Sequence, residues 1–139
     1  MFRKILVPLD MTFKHRRAID TAADLARQSD GEVVLLHVIE LLHAMPREEE
    51  KDFYDRLETG AQTHLERHLV TLKERDIDCR KQIVFGVRAA EVLRFAQTLS
   101  ADLIILTAPR IDPENPESGW GSMSYKLSFF APCHVLLVK

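Results

Sequence analysis

The sequence predicts one α/β domain over residues 1–139, a three-layer open sandwich around a five-stranded parallel sheet. Three observations carry this expectation. Short apolar runs alternate along the chain with longer stretches of helical periodicity. Two of the runs, Val33 to Leu36 and Leu103 to Ala108, are apolar or nearly so throughout, as strands covered by helices on both faces are. The stretches between runs are long enough to require parallel crossovers, which are right-handed. At 139 residues there is room for one substantial core and not for two.

The first run, residues 4–10, sets Ile5, Leu6, Val7 and Leu9 around Pro8. Proline gives up a ladder donor, so the strand should end near it and leave Asp10 at the sheet's C-terminal rim. Thr12 is placed to cap the next helix, in which Ala18, Ala22, Leu25 and Ala26 recur at helical spacing. Small residues on that face let the helix lie close to the sheet. Ser29-Asp30-Gly31 ends it, with Gly31 as the expected C-terminal cap. Residues 32–39 are the second strand, with His37 inside an apolar run. A connection over residues 41–47 leads to a charged helix over about residues 48–75, whose expected stripe is Phe53, Leu57, Ala61, Leu65, Leu69 and Leu72. Gly60 costs that helix about 1 kcal/mol and marks a small bend or a close contact.

Residues 77–85 are less apolar and predict a third strand near an edge. After Gly86, the residues Ala89, Val92, Leu93, Ala96 and Leu99 form a third helical stripe, and residues 102–108 form the fourth strand. The following stretch, with Pro109, Pro113, Pro116, Gly119 and Gly121, can continue neither strand nor helix. It opens into a short helix with Met123, Leu127 and Phe130, stopped by Pro132, and the chain closes on a fifth strand from Cys133 to Val138. A strand that empties into such a loop and then a helix N-terminus is where an open α/β sheet usually binds an anion.

The net charge of -2, from 19 basic and 21 acidic side chains interspersed, supplies no concentrated basic face for nucleic acid. The opening MFRKILVPLD turns polar too soon for a secretory signal, and no run approaches a membrane span. With Cys79 and Cys133 far apart and no disulfide framework, a soluble, cytoplasmic protein is expected. The terminal strand is strongly apolar; as an edge it would leave unpaired backbone groups, and pairing with the same strand of a second copy would hide them. A homodimer through this strand is the expected assembly.

Asp10 at the rim can accept hydrogen bonds from a ribose or a base amino group, or can serve as a turn former before the helix. Gly121 and Ser122 can offer backbone N–H groups and a hydroxyl to a phosphate, although loop-to-helix junctions favour these types in any case. Arg88 and Arg110 can add positive charge at the same rim or stay solvated. Neither a Walker lysine nor a GxGxxG occurs. His64 and His68, four apart, have a metal-ligand spacing but no third ligand, and read as boundary residues; His37 reads as a hydrogen-bonded core histidine. Neither cysteine has a CxxC partner, and Glu48 to Glu50 read as a solvated charge run at a helix start. Trp120 can cover a ligand or pin its loop, while Phe53, Met123 and Phe130 read as core or interface. No catalytic residue and no metal ligand is assigned.

Taken in order, ILVPLD (residues 5–10), VVLLHV (33–38), FGVRAAEVLRFA (85–96), ADLIIL (101–106) and GSMSYKLSFFAPCHVLLVK (121–139) resemble the universal stress protein family over essentially the whole chain. The resemblance implies a sheet of order 3-2-1-4-5, of the adenine nucleotide alpha hydrolase-like type, usually in dimers, and a role in tolerating stress or arrested growth. Some members bind ATP and others do not. In those that do, an aspartate after the first strand approaches the nucleotide, a position held here by Asp10, and a residue near the end of the second packs by the adenine, here Val38. The family's phosphate loop reads G-x2-G-x9-G-S/T. This chain keeps Gly121-Ser122 with one extra residue before them, and carries Thr107 and Arg110 where the early glycines belong. A side chain at those places obstructs close approach of backbone to phosphate, whereas the Arg110 guanidinium can hold phosphate by a different geometry. The leading expectation is therefore a non-catalytic stress-response protein acting through a dimer surface or a regulatory protein partner. The alternative is an adenine-nucleotide sensor or slow ATPase, taking ATP with magnesium in a pocket of Asp10, Val38, Arg88, Arg110, Gly121 and Ser122.

Overall fold

A computed structural model describes residues 1–42, 44–110, 112–119 and 122–139, and of Ser118 and Gly119 the backbone alone. Strands β1 (Lys4–Pro8), β2 (Glu32–Ile39), β3 (Asp78–Phe85), β4 (Leu103–Thr107) and β5 (His134–Val138) form one parallel sheet in the order β3-β2-β1-β4-β5. Helices α1 (Arg16–Ser29) and α2 (Lys51–Glu74) cover one face, and α3 (Arg88–Leu99) and α4 (Met123–Phe130) the other. Side chains alternate across β1 and so feed two cores. Ile5 and Val7 pack with Ala18, Ala22, Leu65 and Leu72, while Leu6 packs with Val92, Ala96 and Leu127. At the start of β1 the amides of Arg3 and Lys4 donate to Asp102 Oδ2 at 3.0 and 2.9 Å, tying the first strand to the fourth. Among the described residues no helix is long and apolar enough to cross a membrane.

Several local expectations need correcting. Thr12 does not cap α1: its amide and hydroxyl both donate to Asp10 Oδ1, and the helix begins at Arg16 after His15. Gly31 is not the left-handed residue at the end of that helix. Asp30 takes that conformation, with φ of 52°, and the Gly31 amide donates to Ala26 O at 2.9 Å. Gly31 is required for space, because a Cβ there would lie 2.7 Å from Phe2 O and 2.8 Å from Arg3 O.

In α2 the buried stripe begins with Tyr54 rather than Phe53, and Leu57 is 42% exposed. The Tyr54 hydroxyl accepts from the Leu42 amide at 3.0 Å and donates to Met45 O, which turns this residue inward. Gly60 makes no close contact, since a Cβ there would meet nothing within 4 Å. Phe130 is 73% exposed and does not belong to the core, whereas Leu127 on the same helix is fully buried.

Candidate functional site

The C-terminal ends of the central strands converge on a cleft of about 610 Å³, within the range of small-molecule sites. Its walls come from the end of β1 (Pro8 to Asp10), from Leu36 and Val38 of β2, from Arg88 and Val92 of α3, from Thr107 at the end of β4 and Ala108 to Arg110 after it, and from Ser122 to Ser124 at the start of α4. Asp10, Val38, Arg88, Arg110 and Ser122 are thus brought to one cavity. Gly121 and Trp120 lie outside the described residues.

Parallel strands that end together produce this opening; Pro8, with no N–H to donate, is the last residue of β1, and the Leu9 amide beyond it still donates to Leu36 O at 2.8 Å before the rim turn. The turn is built on the Asp10 carboxylate, which receives the Thr12 amide at 2.8 Å, the Thr12 hydroxyl, His15 Nε2 at 2.9 Å and, on its other oxygen, Lys14 Nζ at 3.3 Å. Partial burial pushes this carboxyl upward. The hydrogen bonds from Thr12 and His15 outweigh that effect and hold it well below the usual carboxylate range.

His15 is the principal residue that sequence reasoning missed. It is buried at the start of α1, with Nε2 on Asp10 and Nδ1 2.8 Å from Thr107 Oγ, so one ring spans the ends of β1 and β4. The Asp10 amide also lies 3.4 Å from Nε2, but the carboxylate at 2.9 Å is the closer partner and can only accept, which assigns the proton to Nε2 and leaves Nδ1 of the neutral ring to accept from the Thr107 hydroxyl. Burial lowers the pKa of His15 despite the opposing pull of Asp10, which keeps the ring neutral near pH 7. A histidine five positions after a rim aspartate and just ahead of an alanine-rich helix was the available signal.

Val38 is 5% exposed and forms an apolar wall. Arg88 lies 3.9 Å from Glu40 Oε1 in an exposed pair, and Arg110 is exposed at the lip. Ser122 caps α4, its Oγ accepting from the Tyr125 amide at 3.2 Å, which leaves the hydroxyl proton for another acceptor. Lys14, Arg88, Arg110 and Lys139 face Asp10, the only acidic side chain lining the cleft among the described residues. That balance suits an anion next to a group that donates to Asp10.

Away from the cleft, His37 is partly buried and its Nδ1 donates to Leu9 O at 2.8 Å, as the sequence suggested. His64 is buried rather than at the boundary, and its Nε2 and that of His68 have no partner among the described residues. Among those residues no group of three or more His, Cys, Asp or Glu side chains can hold a metal ion. Cys79 and Cys133 are free, and burial pushes both thiols up, away from a reactive thiolate.

The family model described as the universal stress protein family matches residues 1–139. A universal stress protein of Methanocaldococcus jannaschii is 26% identical over 143 residues, covering 100% of this chain and 83% of the relative. The solved universal stress protein of Archaeoglobus fulgidus in complex with dAMP has a TM-score of 0.75 at 16% identity, covering 99% of this chain and 98% of that one. A universal stress protein family member from Arabidopsis thaliana with AMP bound has a TM-score of 0.73 at 19% identity, covering 99% and 91% of the two chains.

Proposed function

The chain belongs to the universal stress protein family, and from that membership we propose that its rim cleft binds an adenine nucleotide. The observation that carries this reading is one cavity in which Asp10, the apolar wall at Val38 and the cations Arg88 and Arg110 stand around the ends of the strands. Asp10 would take the ribose hydroxyls, Val38 the adenine face, and Ser122 with Arg110 the phosphate. The bound AMP and dAMP of two relatives support the nucleotide reading over one in which the protein acts through its surface alone. Arg110 lines the cleft from an exposed position, and in this reading its guanidinium takes the phosphate contact that the early glycines of the usual loop would otherwise give.

Calorimetric titration with AMP, and with ATP and magnesium, tests this. Saturable binding is expected, weakened about tenfold or more by Asp10→Ala, which removes a charged acceptor, and weakened by Arg110→Ala more for ATP than for adenosine. Absence of saturable binding up to millimolar nucleotide would return the protein to the surface-acting reading.

The homodimer through β5 stands as a second proposal. Leu136 and Leu137 are each 37% exposed on this edge strand, and Phe129 and Phe130 of α4 are 69% and 73% exposed. Leu136→Lys is expected to halve the mass seen by light scattering, and a wild-type chain that is monomeric at micromolar concentration refutes the pairing.

A further inference from the structure

The contact between His15 and Thr107 fixes the direction in which a hydroxyl in the cleft can hydrogen-bond. Thr107 ends β4 and lines the cavity, and its Oγ lies 2.8 Å from His15 Nδ1. The other ring nitrogen is held by the Asp10 carboxylate at 2.9 Å. While the ring is neutral, Nδ1 has a lone pair and the Thr107 proton is committed to it, so Thr107 presents only lone pairs to the cavity. A second proton on the ring reverses this. Nδ1–H then donates to Thr107 Oγ, and the hydroxyl proton is free to point into the cleft.

We propose that Thr107, held by His15, selects what sits against the β4 end of the cleft. It accepts from a donor such as a ribose hydroxyl while the ring is neutral, and donates to an anionic phosphate oxygen once the ring is doubly protonated. This rests on the nucleotide reading above and assigns to that site a proton-linked choice of ligand group. Acidification therefore strengthens phosphate contact at Thr107, and a phosphate bound there draws a proton onto His15.

The groups facing His15 define the conditions. Asp10 favours the second proton from the β1 side, while Lys14 on the same turn and His64 and His68 of α2 oppose it with their own charge. Burial also opposes it, so the neutral form prevails near pH 7 and the change comes on acidification below the ordinary histidine value. Acidification also adds positive charge elsewhere on the protein, a general attraction for anions that does not pass through Thr107. The test therefore has to isolate the hydroxyl.

The probe is adenosine 3′,5′-cyclic monophosphate, whose single phosphodiester charge is constant over about pH 5 to 8, the range in which histidines titrate. Wild-type affinity is expected to rise about tenfold on acidification across that range, the scale of one added hydrogen bond to a charged group. Thr107→Val keeps the shape and removes the hydroxyl, and its slope should fall to that general component. Thr107→Ser should restore the slope. His15→Gln keeps a donor for Asp10 and should remove most of it. In the ligand-free protein, nitrogen NMR of the His15 ring should show the neutral form protonated on Nε2.

A wild-type slope retained in Thr107→Val, or a neutral ring protonated on Nδ1, overturns the inference while leaving nucleotide binding intact. A wild-type chain that binds neither this probe nor AMP at any pH overturns the nucleotide reading and the selection together, a result distinct from binding that ignores Thr107.

Discussion

Ile105→Ala is expected to lower the free energy of unfolding by about 2–5 kcal/mol, the range for truncating a fully buried aliphatic side chain. Ile105 has no exposed surface and lies on β4, between β1 and β5, in the core shared with α1 and α2. The upper part of that range is expected here for a specific reason. The α1 face over this core is built from Ala18, Ala22, Ala23 and Ala26, none more than 1% exposed, with Ile19 as its one longer buried residue, and an alanine has no longer rotamer to swing into a hole. Urea denaturation followed by circular dichroism should show a lower midpoint with an unchanged slope. A loss under about 1 kcal/mol would mean that α1 moves bodily onto the sheet, and that the close spacing is not enforced.

The second large effect is expected at Gly31, where alanine should cost about 1–3 kcal/mol as an overpacking strain, with asparagine no better. The three atoms a Cβ would meet are Phe2 O at 2.7 Å, Arg3 O at 2.8 Å and Arg3 Cα at 2.9 Å, all of them backbone. They cannot rotate away as a side chain would, so relief requires the start of β1 to move. That movement stretches the bond from the Glu32 amide to Arg3 O, now 2.8 Å, which begins the β1 and β2 pairing. The contrast lies one residue earlier. Asp30 is left-handed at φ of 52°, so Asp30→Gly should be neutral or stabilising. If Gly31→Asn were tolerated and Asp30→Gly were costly, the assignment of the two positions would be reversed.

These two positions also show where the sequence was readable. A Ser-Asp-Gly ending marked the helix terminus correctly, but composition alone does not say whether glycine serves φ or space, because the crowding atoms come from β1, far away in the chain. The strands were legible because each is a short apolar run, and the strand order came from the resemblance rather than from periodicity. Phe53 and Tyr54 were exchanged because two aromatics stand side by side, and only the loop carbonyl and amide waiting at Met45 and Leu42 decide which turns inward.

At the site, Asp10, Arg88 and Ser122 were reachable from sequence because each falls at a strand end or helix start along one rim, Arg110 because it follows the fourth strand, and Val38 through the family resemblance. His15 was not, because its meaning depends on Thr107, which lies 92 positions later in the chain. Thr107 itself was visible only as a departure from a glycine, and nothing in a linear reading supplies its partner.

The central position of β1 has a consequence for how the chain emerges during synthesis. Its pairing with β2 is complete once residue 36 is free, but its other edge waits for Leu103 and Ile104, and the Arg3 and Lys4 amides wait for Asp102. At ~5–20 residues per second, the ribosome takes roughly several seconds to cover that gap. Throughout it the nascent chain carries an unpaired apolar strand edge with no neighbour of its own to close it. Nascent chains arrested before residue 102 should therefore depend on holdase chaperones, and that dependence should end when β4 leaves the tunnel.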